Sequence, residues 1–302
     1  MEKITVAICT YNRSYLLKKV LESLVNQTVK KDFFEVLVVD NNSSDNTREV
    51  VKIFESLLSL KYVFENKQGL SYARNRAIKN CQTEYISFID DDSIAENNWL
   101  EIAYDLIKNG QYDIFGGSIY PYYIDKKIWF LDKYEIREPA VVSSFLHNNQ
   151  FLSGSNIFFR RSIFIKIGNF DQKLGMKGNK IGVGEETLLQ ICADKKEIKR
   201  YFSSKLIVYT LVPIKKMELK YLIKRTFITG YVSKQVFISK RGLFVDGVRF
   251  FMSILLIIFS SITMIFRNRK KYRYWQNYFV EKICNYFYVI GVFFSYFRLI
   301  KF

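Results

Sequence analysis

Through its first half the chain alternates two patterns. Short runs of β-branched and aromatic residues, as in strands buried on both faces, give way to stretches whose apolar residues recur every three or four positions. Residues 4–10 (ITVAICT) read as a strand, and 14–26 as a helix with Leu16, Leu17, Val20, Leu21 and Leu24 along one side. Residues 34–39 (FEVLVV) form a second strand ending at Asp40; 41–45 supply a turn and cap, and a helix follows to Leu58. A third strand covers 60–64, Gly69 opens a helix through Asn80, and 85–89 (YISFI) form a fourth strand. A helix begins over 96–100, and 113–116 read as a fifth strand. Strand–helix alternation at this spacing predicts an α/β fold with a parallel, doubly wound sheet.

Beyond residue 120 the pattern is less regular. Three aromatics (Tyr120, Tyr122, Tyr123) precede Leu152-Ser153-Gly154-Ser155-Asn156 and a strand-like 157–159. After the loop 174–180, Gly184-Glu185-Glu186 open a helix continued by Leu188, Leu189, Ile191 and Cys192. The C-terminal third changes character. Residues 221–234 read as a basic helix, 250–266 (FFMSILLIIFSSITMIF) are uncharged, and Arg267, Asn268, Arg269, Lys270 and Lys271 follow. A second uncharged, aromatic-rich run covers 283–297.

As helices the two apolar runs span about 25 Å and about 22 Å, against roughly 30 Å of bilayer hydrocarbon. Their shortness and the basic connection favour an in-plane or re-entrant pair with its cations on anionic headgroups. A spanning hairpin, with tilt or thinning absorbing the mismatch, and a buried helical subdomain are the other two readings.

Composition sharpens this division. The chain has 302 residues, 49% apolar and 17% aromatic, enough for one large domain or a domain with an appendage. Its net charge of +17 is uneven: residues 213–302 hold 17 Lys and Arg against 3 acids, leaving 29 against 26 for the rest. The polyanion-facing surface therefore belongs to 213–302. An apolar block of this size tracks phosphates poorly, so nucleic acid is not an expected partner. The four cysteines are scattered, as in a reduced cytoplasmic protein, and Met1-Glu2-Lys3 lead directly into the first strand without a signal-peptide pattern. His147 is the only histidine, which excludes a Ser-His-Asp triad and a multi-histidine metal site from most consideration.

The candidate chemistry sits at strand ends. Thr10, Tyr11 and Asn12, then Asp40, then Asp90, Asp91 and Asp92 each follow a strand, and right-handed crossovers bring such ends to one edge of the sheet. Three adjacent carboxylates repel unless a cation or donors offset them, and oxygen ligands suit Mg2+ or Mn2+. The same aspartates also suit a turn and N-cap before the next helix. Glu185 and Glu186 in a first helical turn are favoured by the helix dipole alone. There is no G-x-G-x-x-G and no P-loop, so hydroxyl- and carboxylate-bearing tips suit a nucleotide held through base, ribose and metal.

In order and spacing, residues 4–47, Gly69-Leu70-Ser71-Tyr72-Ala73-Arg74-Asn75, Phe88-Ile89-Asp90-Asp91-Asp92 and Gly184-Glu185-Glu186 resemble a family 2 glycosyltransferase. The resemblance covers roughly the first 210 residues. It implies a GT-A fold, a doubly wound mixed sheet flanked by helices, over residues 1–212, with 213–302 as a helical membrane-associating region. It implies that Thr10, Tyr11 and Asp40 contact base and ribose, that Arg74 and Asn75 lie near the ribose-diphosphate, and that Asp90 and Asp91 face the donor. Asp92, with Asp90, would hold the metal, Mn2+ or Mg2+. Glu186 stands where the catalytic base stands and Glu185 orients the acceptor, while Gly154, Ser155 and Asn156 line the sugar and acceptor pocket. Two departures are visible: Glu replaces the commoner Asp at 186, and Val208-Tyr209-Thr210 stand where the family often has a metal-binding histidine.

The expectation is an inverting, metal-dependent glycosyltransferase at the cytoplasmic face of the cell membrane. It would move a sugar from a nucleotide-sugar, UDP-linked, to a glycan or lipid-linked acceptor in surface polysaccharide assembly. Nothing in the pattern specifies an oligomer. Two alternatives are a non-catalytic nucleotide-binding scaffold and a nucleotidyltransferase on a related fold.

Overall fold

The computed structural model describes residues 3–110, 112–147, 149–178, 180–237, 242–266 and 268–297. Its first part follows the alternation closely: β1 (Ile4–Thr10), α1 (Ser14–Val25), β2 (Phe34–Asp40), α2 (Thr47–Phe54), β3 (Leu60–Phe64), α3 (Leu70–Asn80) and β4 (Tyr85–Phe88). Next come β5 (Ser93–Ala95), α4 (Trp99–Gly110), β6 (Ile114–Tyr122), β7 (Ser144–Phe145), β8 (Ile157–Arg160), α5 (Phe164–Ile167), α6 (Glu185–Asp194) and β9 (Arg200–Leu211). They build one sheet in the order β3-β2-β1-β4-β8-β6-β9-β5, with β7 on β9.

The parallel expectation holds for β3, β2, β1 and β4. It fails at β8, which runs antiparallel to both β4 and β6 and makes the sheet mixed. An antiparallel neighbour needs no helical crossover, so strand–helix alternation carries no signal for it. Alternation of side chains along each strand covers both faces. Ile4, Val6, Ile8, Val36 and Val38 pack with Leu17, Leu21 and Trp99 on one side; Ala7, Leu37, Val39 and Phe88 pack with Ala73, Ala77 and Leu189 on the other.

Three local differences matter for the site. Helix α2 stops at Phe54 rather than Leu58, although Leu58 is still buried. Strand β6 runs to Tyr122, well past Gly116. The aspartates do not cap a helix: they lead into β5, which pairs antiparallel with β9, and α4 begins only at Trp99. That result removes the capping explanation for all three carboxylates.

Asn156, expected to line the sugar and acceptor pocket, is instead fully buried in this sheet. The Trp99 indole N–H donates to its Oδ1 at 2.9 Å, and its Nδ2 donates to the carbonyls of Ser118 and Leu206, both at 3.0 Å. The amide ties β8 to β6 and to β9 beside the irregularity between Gly117 and Ser118. Asn156→Ala would leave one donor and two acceptors unpaired in the core, and a loss of about 3 kcal/mol is expected. Urea unfolding would measure it.

A second compact unit contains 123–134, 180–184 and 212–297. It is built on α7 (Leu219–Phe237), α8 (Leu243–Thr263, with a 3-10 turn Met264–Phe266), α9 (Trp275–Tyr278) and α10 (Cys284–Phe294). Trp129, Phe130, Val212, Met217, Leu222 and Cys284 form its core. The second apolar run of the sequence is thus largely α10, which lies directly on α7. A Cβ on Gly230 would sit 2.0 Å from the Tyr288 carbonyl oxygen, and one on Gly291 2.0 Å from that of Phe227. Only glycine permits so close a crossing.

Candidate active site

Parallel registers align the three strand tips. Thr10 lies beside Asp40 in the β1–β2 ladder, and β1 also pairs with β4, whose continuation carries the aspartates. The Thr10 hydroxyl donates to Asp91 Oδ2 at 2.8 Å, so the convergence expected from the pattern is present. Asp40 is buried; its Oδ1 accepts the Ser43 N–H at 2.8 Å and its Oδ2 the Tyr62 hydroxyl at 2.7 Å. Burial, then the Asp40 bond, pushes the Tyr62 hydroxyl up to about 12, so Tyr62 stays a donor. Tyr11 follows at the β1 end, half-buried.

The three aspartates take different partners. Asp91 accepts Arg13 Nη1 at 2.9 Å on Oδ1, and Asp92 Oδ2 lies 3.5 Å from the same nitrogen. Half-exposed Asp90 accepts Arg74 Nη2 at 3.2 Å. Burial raises the Asp91 carboxyl above its ordinary range while Arg13 and Thr10 pull it down. The resemblance assigns Arg13 no role, yet three adjacent carboxylates call for an offsetting charge, and it comes in part from Arg13 and Arg74.

The acceptor-side candidates stand at the start of α6. Arg74, 3% exposed, extends Nη1 to Glu185 Oε1 at 2.9 Å and Nη2 toward the Gly154 carbonyl at 3.4 Å. Its guanidinium lies 5.7 Å from the Phe88 ring and 5.4 Å from the Phe170 ring. A Cβ at Gly154 would come within 2.6 Å of Arg74 Nη2, so glycine is what lets this strand end approach. Arg74 therefore bridges Asp90 and Glu185 from inside the protein rather than reaching outward to a donor.

Burial raises the Glu185 carboxyl well above the usual range, Glu186 adds to that, and Arg74 opposes both. One carboxyl oxygen of Glu185 and one of Glu186 are buried without a hydrogen-bond partner among the described residues. A buried acceptor lacking a donor is costly, and it suits a proton or an incoming hydroxyl. Glu186 is the more exposed of the pair.

Asn75 differs from its implied place near the ribose-diphosphate. Its Nδ2 donates to the Phe170 carbonyl at 2.8 Å and its Oδ1 accepts the Phe170 N–H at 2.9 Å, so it clamps the 168–171 loop. Ser155, also buried, accepts the Asp90 N–H at 3.3 Å and shares a hydroxyl chain with Ser93 (2.7 Å) and, through it, Thr210 (2.8 Å). Thr210, standing where the family often has a histidine, lies inside β9. Asn41, a turn residue by its sequence, does more: its amide donates to the Lys67 carbonyl and accepts the Gly69 N–H, both at 2.7 Å, fastening β2 to the start of α3.

Among the described residues no three His, Cys, Asp or Glu side chains converge as a metal cage. The donor set instead offers two separate carboxylates, Asp92, buried beside Arg13, and half-exposed Asp90. That fits a hard divalent ion completed by a ligand's phosphates, which is how Mg2+ commonly binds.

The sequence model of glycosyl transferase family 2 matches residues 5–168, more than half of the chain. Staphylococcus aureus poly(ribitol-phosphate) beta-N-acetylglucosaminyltransferase TarP is 31% identical over 120 residues, 39% of this chain and 37% of TarP. Haloferax volcanii glucosyl-dolichyl phosphate glucuronosyltransferase is 26% identical over 251 residues, 78% of this chain and 77% of that enzyme. The chain spans well under half of some curated relatives: 17% of Streptococcus pneumoniae glycosyltransferase GlyA, for example. Among solved structures, mannosyltransferase PcManGT from Pyrobaculum calidifontis, in complex with GDP-Man and Mn2+, gives a TM-score of 0.66 at 15% identity, covering 99% of this chain and 88% of that one. S. aureus TarS 1–349 with UDP-GlcNAc gives 0.56 at 20% identity, covering 76% and 65%. These likenesses show a GT-A-type mixed sheet flanked by helices.

Proposed function

Because this chain belongs to glycosyl transferase family 2, we propose that it transfers a hexose-type sugar, with inversion, from a UDP-sugar to a hydroxyl of a glycan acceptor. The observation that carries this is the Arg74 bridge: one guanidinium touches both Asp90 on the donor side and Glu185 on the acceptor side. Carboxylates for two different tasks thus stand one guanidinium apart.

In this reading the nucleoside rests against the β1 and β2 tips, with Thr10, Tyr11 and Asp40 around it. Asp92 and Asp90, together with the donor diphosphate, would hold Mn2+ or Mg2+, which neutralises charge on a departing nucleoside diphosphate. Glu186 takes the proton of the attacking acceptor hydroxyl. Glu185, held by Arg74, orients the acceptor, and Gly154 leaves room for the Arg74 guanidinium that holds it. The name of the Haloferax relative, which acts on glucosyl-dolichyl phosphate, supports a lipid-linked acceptor in surface-glycan assembly.

The purified chain should release UDP from one member of a UDP-sugar panel when supplied with acceptor and Mn2+. Pyrophosphate as the product would identify a nucleotidyltransferase instead, and no turnover with any donor would favour a scaffold. Asp92→Asn is expected to raise the Mn2+ concentration for half-maximal activity at least roughly tenfold, since even outer-shell changes cost metals about 10–100-fold. A Mn2+ titration of the initial rate measures this.

A further inference from the structure

Helix α8 is inside-out for a water-soluble protein. Its buried residues are Asp246, Ser253 and Ser260, spaced seven apart and so stacked along one stripe. Asp246 anchors that stripe within the helical unit: Lys234 Nζ lies 3.3 Å and Arg249 Nη1 3.4 Å from its oxygens, and the Tyr296 hydroxyl donates to it at 2.8 Å. Phe250 stacks on Phe293 of α10 at 4.4 Å. Most of the other large apolar residues point the other way. Phe244 is 83% exposed and Phe266 82%, with Phe251, Leu255, Phe259 and Ile262 exposed between them.

At 100° per residue, the exposed positions sweep an arc of about 220°, and none of them is charged. Soluble monomers rarely show an apolar patch of this extent. Leu243–Phe266, 24 residues, is long and apolar enough to cross a membrane. Its length of about 36 Å exceeds the roughly 30 Å of bilayer hydrocarbon. A buried core helix would pass the same test of composition, but this helix is mostly uncovered. The exposed cations Arg269, Lys270, Lys271 and Arg273 follow directly, and no acid occurs between Asp246 and Glu281. Trp275 is part-exposed beside them, a residue type favoured at headgroup depth.

We propose that the apolar arc of α8 is embedded in the acyl chains of a bilayer containing anionic lipid, with Arg269, Lys270, Lys271 and Arg273 on the headgroups. The occupant of this face is lipid, chosen over a second copy of the chain because the cationic segment continues the apolar one. A self-complementary contact would set these cations among apolar or like-charged surface, whereas anionic lipid answers both features. The proposal is independent of the transfer chemistry, so an inactive chain could still bind and an active one could fail to.

The test is flotation of the full chain with phosphatidylcholine vesicles, with and without one quarter phosphatidylglycerol. Wild type should float with the mixed vesicles and stay bound in 1 M salt, because burial of apolar surface is not screened. The triple variant Phe251→Glu, Leu255→Glu, Phe259→Glu should lose at least tenfold in the floated fraction, with thermal unfolding of the catalytic domain unchanged. Lys270→Ala with Lys271→Ala should lose the preference for phosphatidylglycerol but keep salt-resistant binding. Equal flotation of the triple variant overturns the proposal. So does a lipid-free dimer of the wild type whose Leu255→Cys form cross-links across α8.

Discussion

Glu186→Gln is expected to lower kcat by about 10²–10⁴-fold while leaving the donor KM nearly unchanged, the range a general base contributes. The substitution keeps size and hydrogen-bonding capacity but removes the ability to accept a proton from the acceptor hydroxyl. Glu186 is chosen over Glu185 because it is less buried and because Arg74 holds Glu185 at 2.9 Å. Glu185→Gln should act differently, raising the acceptor KM along with its effect on kcat, since its proposed task is to orient. Initial-rate kinetics with each substrate varied separate the two. A Glu186→Gln enzyme with wild-type kcat would remove Glu186 from the chemistry and with it the central assignment of the site.

Arg74→Met is expected to cost about 3–5 kcal/mol of stability, as when one partner of a buried ion pair is removed. The reason lies in what remains: a buried Glu185 facing Glu186, and Asp90, with no guanidinium among them. Arg74→Lys should recover only part, because an ammonium cannot fork to two carboxylates and lie between two aromatic rings. In a double-mutant cycle the cost of Arg74→Met should shrink in a Glu185→Gln background, since the stranded charge is gone. Urea unfolding of the four proteins measures the coupling. Additive costs would mean that Arg74 acts through packing against Phe88 and Phe170 alone.

The stretch from Ile4 to Asn80 was legible almost residue by residue. Its strands are buried on both faces and its helices carry unbroken apolar sides, so local period and turn chemistry agree. The tips at Thr10, Asp40 and Asp90 were legible for the same reason, because polar residues that end buried strands must fall at a sheet edge. Beyond Asp92 that agreement lapses. Strand β5 is three residues long and leaves no periodic trace, while β8, strand-like in the sequence over 157–159, carries no sign that it enters antiparallel after a long excursion.

The site divides along the same line. Residue types and their order, three aspartates after a strand and two glutamates opening a helix, are properties of neighbours in the chain and announce carboxylate chemistry before any folding. Which carboxylate faces which partner is not a local property. Thr10 and Asp91 are 81 positions apart, and Arg74 and Glu185 111. Those pairs become obligatory only when closure of the core strips water from them, since an unpaired charge is tolerable in solvent and costly inside. Hence Asn75 and Asn156, polar residues suited to binding, were taken up by the backbone of loop and sheet, and Arg74 turned inward to join the two acidic clusters. For α8 the apolar content was plain in the sequence, but its direction was not: an apolar run reads alike whether buried or bare, until its neighbours show which side they cover.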